Sequence, residues 1–193
     1  MLTKVAKIIR IISIPPILVG ILLLSLYFTQ SRIFSNISEL LLSFLFLMVI
    51  PFFAYPISYL SPSIKVKGRD GQRKLAFIGS LMGYFGALIY GMITSVSEGL
   101  LFIYLTYLFS VILLTIFNKI IRVRASGHAC SITGPLILMI YFIGWKCLIP
   151  CVLFFNLIIW ASLYIKRHTP KELFFGALCA SLAFLVNWAI YLF

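Results

Sequence analysis

The chain alternates long apolar stretches with short polar ones. A helix needs roughly 20 apolar residues to cross a bilayer, and stretches of about that length cover residues 11–28, 37–60, 75–95, 97–118, 132–145, 148–165 and 173–193. Only helices and closed barrels satisfy their backbone groups in lipid, and the alternating pattern of barrel strands is not visible. The sequence therefore predicts an all-α, polytopic transmembrane helical bundle of six or seven spans. Whether the short fifth stretch, residues 132–145, crosses the membrane decides between six and seven spans.

Composition supports one integral membrane domain over residues 1–193. Of the 193 residues, 63% are hydrophobic and only 10% are charged, which excludes an ordinary soluble globular domain. We expect two N-terminal spans within residues 1–60. The first apolar run follows Lys4, Lys7 and Arg10, as a signal peptide would, but no small-residue cleavage pattern follows it. It is interpreted as a retained span.

The net charge of +12 is distributed unevenly between the two membrane faces. Residues 1–10, 61–74, 119–124 and 166–171 hold most of the basic side chains, whereas the other loops hold only Arg32 and Lys146. With seven spans, the positive-inside rule predicts a cytoplasmic N-terminus and an outside Phe193 in the cell membrane. The N-terminal basic trio is interpreted as topological. The expected partners are membrane lipids, whose anionic headgroups attract these cations, and no nucleic acid is expected.

The 61–74 loop is the most polar passage in the chain. Its glycines make it flexible, and its cations suit an anion. Guanidinium groups bind phosphate bidentately, which favours Arg69 and Arg73 over Lys65 and Lys67. A basic cytoplasmic loop without any ligand is the competing interpretation.

A second polar stretch, Ser126-Gly127-His128, stands directly before an apolar helix. Free backbone N–H groups and the helix dipole favour an anion there. Gly127 lets a phosphate approach the backbone closely, Ser126 offers a hydroxyl, and His128 is placed to protonate a leaving oxygen. Alternatively, Ser126 only caps the helix and His128 lies at the level of the lipid headgroups.

The third polar stretch contains His168 and the sequence Thr169-Pro170-Lys171-Glu172. This sequence reads as a capping box with proline at the first helical position. His168 and Glu172 are four residues apart, so the carboxylate can also hold the imidazole in one tautomer. An imidazole oriented in this way is a plausible nucleophile toward phosphorus.

Taken in order, the three stretches resemble the type 2 phosphatidic acid phosphatase superfamily, which includes the vanadium haloperoxidases. Its signature is K-x6-R-P, P-S-G-H and S-R-x5-H-x3-D. The second motif matches residues 125–128, with alanine for proline, and the third matches residues 161–172. In the first motif Arg73 fits the arginine, Lys74 replaces the proline, and the lysine position falls on Val66, between Lys65 and Lys67.

The resemblance implies a phosphatase without metal or other cofactor that acts on a lipid phosphate or a prenyl phosphate or diphosphate. Residues 61–180 would form its phosphatase-like core. His168 would attack phosphorus, Glu172 would orient it, and His128 would protonate the leaving group. The expected phosphate-binding residues are Arg73, Lys67, Lys65, Arg69, Ser126, Gly127 and Arg167.

Two departures from the family pattern bear on activity. Ser162 stands where the third motif has a phosphate-binding arginine, and Glu172 replaces its aspartate. The cations close enough in sequence to substitute are Arg167, Lys166, Arg122 and Arg124. The alternative hypothesis is a catalytically silent relative that binds phosphorylated lipid or serves as a structural or transport component.

Two spans separate each motif from the next. An even number of crossings returns the chain to the same face, so we expect the three motifs to converge there, with the substrate headgroup on the cytoplasmic side. If the fifth and sixth stretches formed one long helix, His168 would lie on the opposite face. The sequence does not predict an oligomeric state.

Overall fold

The computed structural model describes residues 2–60, 66 and 68–192, and this part of the chain is helical and contains no strand. The all-α prediction is confirmed. In chain order the helices are α1 (Leu2–Ile12), α2 (Pro15–Thr29), α3 (Ile37–Phe44), α4 (Ile50–Leu60), α5 (Gly68–Thr94), α6 (Glu98–Thr115), α7 (Gly127–Ile143), α8 (Leu148–Tyr164) and α9 (Pro170–Leu192). Two π-helical segments, Leu45–Val49 and Ile116–Ile120, join α3 to α4 and extend α6.

Polar side chains mark where several of these helices begin. Asn36 accepts a hydrogen bond from Glu39 N at 3.0 Å and starts α3, and Ser97 accepts one from Leu100 N at 3.1 Å and starts α6. Such caps satisfy backbone donors that have no partner inside the helix. At the C-terminal end of α7, Gly144 has a φ of 102°, which is not helical and so ends the helix. Glycine suits this position because residues with a side chain rarely adopt such a φ.

The N-terminal segment differs from the predicted span at residues 11–28. The helix breaks after Ile12, and α1 and α2 meet at an angle of 56°. Pro15 and Pro16 cause the break, since proline lacks an N–H and disfavours helical conformation in the residue before it. Residues 2–12 therefore form a separate helix, which the apolar pattern did not reveal.

Within the part of the chain that the structure describes, four helical segments are long and apolar enough to cross a membrane: Gly71–Thr94, Glu98–Ile120, Trp145–Tyr164 and Pro170–Leu192. The bent pair of α1 and α2 makes a fifth if it counts as one span. Ile37–Phe53 and Gly127–Ile143 are apolar but shorter, and the latter begins five residues before the predicted span at 132–145. These helices fit a multi-pass membrane protein.

Helix α7 lies at the centre of the packing that positions the candidate site. It packs against α2, α6, α8 and α9, while α9 also packs against α6, and α1 packs against α8. Asn187 of α9 donates hydrogen bonds to Phe102 O and to Thr106 Oγ1, both at 2.8 Å, and so ties α9 to α6 inside the apolar core. This arrangement fixes the first turn of α7, which carries His128, and the α8–α9 connection, which carries His168.

Candidate active site

The α6–α7 and α8–α9 connections meet at one end of the bundle. Ser126 N donates to Glu172 O at 2.8 Å, which joins the start of α7 to the first turn of α9. One turn further along α9, a Cβ atom on Gly176 would collide with the backbone carbonyl of Ser126. Glycine at position 176 therefore allows the close approach that brings the second and third motifs together.

Asn118 holds the connection that leads into Ser126. Its Nδ2 donates to Ala125 O at 3.2 Å, and its Oδ1 accepts from Ala125 N at 3.1 Å. These paired bonds fix the backbone just before the α7 N-terminus. Sequence reasoning missed Asn118, although an amide in an otherwise apolar segment is a signal of a specific hydrogen bond.

His168 is held by Glu172 as the spacing of the two residues predicted. Its Nδ1 lies 3.0 Å from Glu172 Oε2, and both side chains are largely buried, with exposed fractions of 7% and 12%. Glu172 N donates to Thr169 Oγ1 at 3.2 Å, and Thr169 N donates to Glu172 Oε2 at 3.4 Å, so the capping box is present as well. With its Nδ1 bound to the carboxylate, His168 keeps Nε2 for chemistry.

The other carboxylate oxygen of Glu172 pairs with Arg124. The distance from Arg124 Nε to Glu172 Oε1 is 3.0 Å, while the side chain of Arg124 remains 65% exposed. Arg124 is one of the four cations considered as substitutes at position 162. Its place beside Glu172 makes it part of the wall of the site and a support for the carboxylate that orients His168.

The two histidine rings lie nearly parallel across a narrow gap. Their centroids are 6.5 Å apart and their planes differ by 11°. His168 Nε2 lies 3.5 Å from Ser126 Oγ, a long contact, and Ser126 Oγ also accepts from Ala129 N at 3.2 Å, as the cap of α7. His128 Nε2 is buried and has no hydrogen-bond partner within the described residues. His168 Nε2 and the Ser126 hydroxyl therefore lie side by side, next to the ring of His128.

His168 lies in the α8–α9 connection, where burial and nearby charges set its pKa. Burial lowers the pKa below the ordinary 6.5, the hydrogen bond to Glu172 raises it, and the positive charges of Arg10 and Arg73 lower it; the net pKa is lowered. The ring is therefore neutral at pH 7. Since Nδ1 contacts a carboxylate acceptor, the proton belongs on Nδ1 and the lone pair on Nε2.

His128 lies in the first turn of α7, ahead of the predicted span at 132–145. Burial, followed by the positive charges of Arg10, His168 and Arg167, lowers the pKa of His128 to about 3. The ring is therefore neutral at pH 7. It can serve as an acid only when an anion enters and offsets the surrounding positive charge.

A cleft of about 460 Å³ opens beside His168, between the ends of α8 and α9. It is large enough for a phosphoryl group, and its cationic lining suits an anion. Lining residues include Arg124, Lys166, Arg167, His168 and Glu172.

The remaining predicted phosphate ligands are placed unequally. Arg73, near the start of α5, is exposed and close enough to act electrostatically on His168. Gly127 opens α7, where an added Cβ would make only an ordinary contact with Leu114. Lys65, Lys67 and the side chain of Arg69 lie outside the described residues.

Arg10 also acts on the site, although sequence reasoning assigned it to membrane topology. Its positive charge influences both His128 and His168. A signal was present in the sequence. Ala6 and Ser13, four residues before and three after Arg10, are small residues in a bulky segment, and such spacing indicates a helix-packing face.

Comparisons of this chain with protein-family models, with curated proteins and with solved structures found no match.

Proposed function

We propose that this protein is a membrane phosphatase that hydrolyses a lipid phosphate, or a prenyl phosphate or diphosphate, through a phosphohistidine intermediate and without a metal. The observation that carries the proposal is the orientation of His168. Its Nδ1 contacts Glu172 at 3.0 Å, and its Nε2 faces Ser126 and the neighbouring ring of His128. A buried imidazole fixed in this way has the geometry of an activated nucleophile.

In the first step, the Nε2 lone pair of His168 forms a bond to phosphorus while the bond from phosphorus to the leaving oxygen breaks. The leaving oxygen takes a proton from His128. Glu172 stabilises the imidazolium character that develops on His168, as a carboxylate partner does for catalytic histidines. Ser126 Oγ and the cations of the cleft hold the nonbridging oxygens, where negative charge is concentrated.

In the second step, water attacks the phosphohistidine on the face that the leaving alcohol has left. His128, now neutral, accepts a proton from that water, and the bond between phosphorus and His168 Nε2 breaks. Inorganic phosphate departs and both rings return to their starting states. Each proton taken from His128 in the first step is thus replaced in the second.

Membrane-embedded helices around the site favour a lipid substrate over a soluble one. The cleft lies at the ends of α8 and α9, both of which are long and apolar enough to cross a membrane. A substrate whose chains lie among the helices would place its phosphate at the cationic end. The family resemblance of residues 61–180 supports the same class of substrate.

The finer topology belongs to the same proposal. Counting α2, the α3–α4 segment and α5 to α9 as crossings gives seven spans, and this count includes the shorter apolar helices Ile37–Phe53 and Gly127–Ile143. The basic segments then share one face, which the positive-inside rule assigns to the cytoplasm of the cell membrane. The substrate headgroup would be cytoplasmic.

Ser162 favours a second candidate function, a silent relative that binds phosphorylated lipid without turnover. The side chain of Ser162 is fully buried, and its Oγ has no hydrogen-bond partner within the described residues. A serine cannot replace the charge of an arginine. Under this alternative the protein binds lipid phosphates but releases no phosphate from them.

Phosphate release by the purified protein tests the proposal. A panel of phosphatidic acid, phosphatidylglycerophosphate and prenyl phosphates and diphosphates is offered in mixed micelles containing EDTA. We expect release of inorganic phosphate from at least one substrate at a rate that EDTA does not change. Activity that requires added metal would contradict the mechanism, and binding of lipid phosphate without release across the panel would favour the silent relative.

The pH dependence of kcat provides a test of the role of Glu172, because kcat reports the enzyme–substrate complex, in which the bound phosphate offsets the positive charge around His128. The nucleophile acts in its neutral form, so the pKa of His168, which Glu172 raises, sets the acid limb of the profile. Glu172→Gln retains a capping side chain but removes the charge that raises the pKa of His168, and so shifts the acid limb to lower pH. Loss of this charge-assisted hydrogen bond costs about 1.5 to 3 kcal/mol, or about 10- to 150-fold in rate.

Lys171→Ala serves as the matched control for Glu172→Gln, because Lys171 is an exposed neighbour in the same turn of α9. Its profile should overlay that of the wild type. An acid limb that moves to higher pH in Glu172→Gln would contradict the proposed orientation of His168.

A further inference from the structure

We propose that Arg10, on the N-terminal helix α1, binds the phosphoryl group in the site formed by the second and third motifs. This inference rests on the proposed function for its chemistry, but its central statement concerns the binding of phosphate. Arg10 would then be a phosphate ligand contributed from outside the 61–180 core.

The packing of α1 places Arg10 on its buried face. Ala6 and Ser13, one helical turn before and after Arg10, are both fully buried. Helix α1 packs against α8, the helix that ends just before His168. Residues spaced three and four apart lie on the same side of a helix, so Arg10 lies on the packed side of α1, where its side chain is half-buried.

Ile9, the neighbour of Arg10, ties α1 to the helices that carry the site. It packs against an apolar cluster that contains Ile132 of α7 and Ile158 of α8. His128 lies one turn before Ile132, and Ser162 lies one turn after Ile158. The segment of α1 that contains Arg10 therefore packs against both α7 and α8.

Burial and charge complete the argument. Arg10 Nη1 is shielded from solvent, and the charge of Arg10 reaches both imidazole rings. A guanidinium whose charge acts on both rings attracts an anion that enters between them, and its planar group matches two phosphoryl oxygens.

Arg10→Gln tests the inference, with Lys7→Ala as the matched control. Lys7 is a cation of the same helix, but it is exposed. The affinity for inorganic phosphate is measured by calorimetry on the full chain in detergent micelles, alongside phosphate release from the best lipid substrate. We expect Arg10→Gln to weaken phosphate binding about tenfold or more and to slow release about 100-fold, while Lys7→Ala changes neither.

A pH profile separates phosphate binding by Arg10 from a purely structural role. The charges that face His168 include those of Glu172, Arg73 and His128 as well as that of Arg10. Because Arg10 lowers the pKa of His168, its replacement should move the acid limb to higher pH, opposite to the shift in Glu172→Gln. Arg10→Lys keeps the positive charge but lacks the planar guanidinium group that binds two oxygens. The phosphate affinity of Arg10→Lys should therefore fall between those of the wild type and Arg10→Gln.

The outcomes separate this inference from the proposed phosphatase activity. If the wild type releases phosphate and Arg10→Gln matches Lys7→Ala in both measurements, the inference is overturned and the phosphatase stands. If the wild type binds phosphate through Arg10 but releases none, the phosphatase is overturned and the inference stands. A wild type that does not bind phosphate overturns the inference. If Arg10→Gln does not fold, the phosphate affinity of Arg10→Lys is the test. A phosphate affinity of Arg10→Lys equal to that of Lys7→Ala would overturn the inference.

Discussion

Replacing His168 by asparagine is expected to abolish phosphate release, with a loss on the order of 1,000-fold or more, as when the nucleophile of a covalent mechanism is removed. Asparagine retains an amide donor near the position of Nδ1, so the contact to Glu172 at 3.0 Å has a replacement. It removes Nε2, the atom that would bond to phosphorus. The initial rate of phosphate release from the best lipid substrate measures the effect.

The thermal midpoint of unfolding serves as the control for this variant. His168 lies in a connection between helices and is not part of an apolar cluster, so the midpoint of His168→Asn should remain close to that of the wild type. A folded His168→Asn protein that retains more than a tenth of the activity would show that another group attacks phosphorus.

Replacing His128 by asparagine should have the second largest effect, and its size should depend on the leaving group. General acid catalysis contributes about 100- to 10,000-fold, and an alkoxide leaving from a lipid phosphate needs the proton. A 4-nitrophenolate leaves without one. We therefore expect His128→Asn to lose activity by that factor on a lipid phosphate, but by less than about tenfold on 4-nitrophenyl phosphate.

The comparison between the two substrates is its own control, because a distorted site would slow both. Equal losses on the two substrates would show that His128 acts on binding or structure and is not the acid. Such a result would fit the lowered pKa of His128, about 3, which keeps the ring neutral at pH 7.

Most of the helical architecture could be predicted from the apolar pattern, because helices in lipid are encoded by length and hydropathy. The boundary between α1 and α2 at the N-terminus could not be predicted in this way. The apolar run at residues 11–28 predicts one segment, yet Pro15 and Pro16 divide it. The first residues of the run belong to α1, and the charged residues of α1 made its packing face hard to recognise in the sequence. The number of crossings also depends on packing, since Gly127–Ile143 is too short for length alone to decide.

The candidate site was predictable where its residues are close in sequence. The contact between His168 and Glu172 follows from helical spacing, and the meeting of residues 126 and 168 agrees with the two helices, α7 and α8, that separate them. Helices α7 and α8 are separate, so the arrangement with one long helix does not occur. Arg10 and Asn118 could not be placed in this way, because their contribution depends on how α1 packs against α8 and how the α6–α7 connection folds back.

Trapping the phosphoryl-enzyme tests the central claim most directly. The wild type and His168→Asn are mixed with a ³²P-labelled lipid phosphate, quenched in alkali within the first turnover, digested and analysed by mass spectrometry. The proposed mechanism predicts an alkali-stable, acid-labile phosphate on the wild-type peptide that contains His168, and none on the variant. A wild type that releases phosphate while its label is found on another residue, or on no residue, would contradict it.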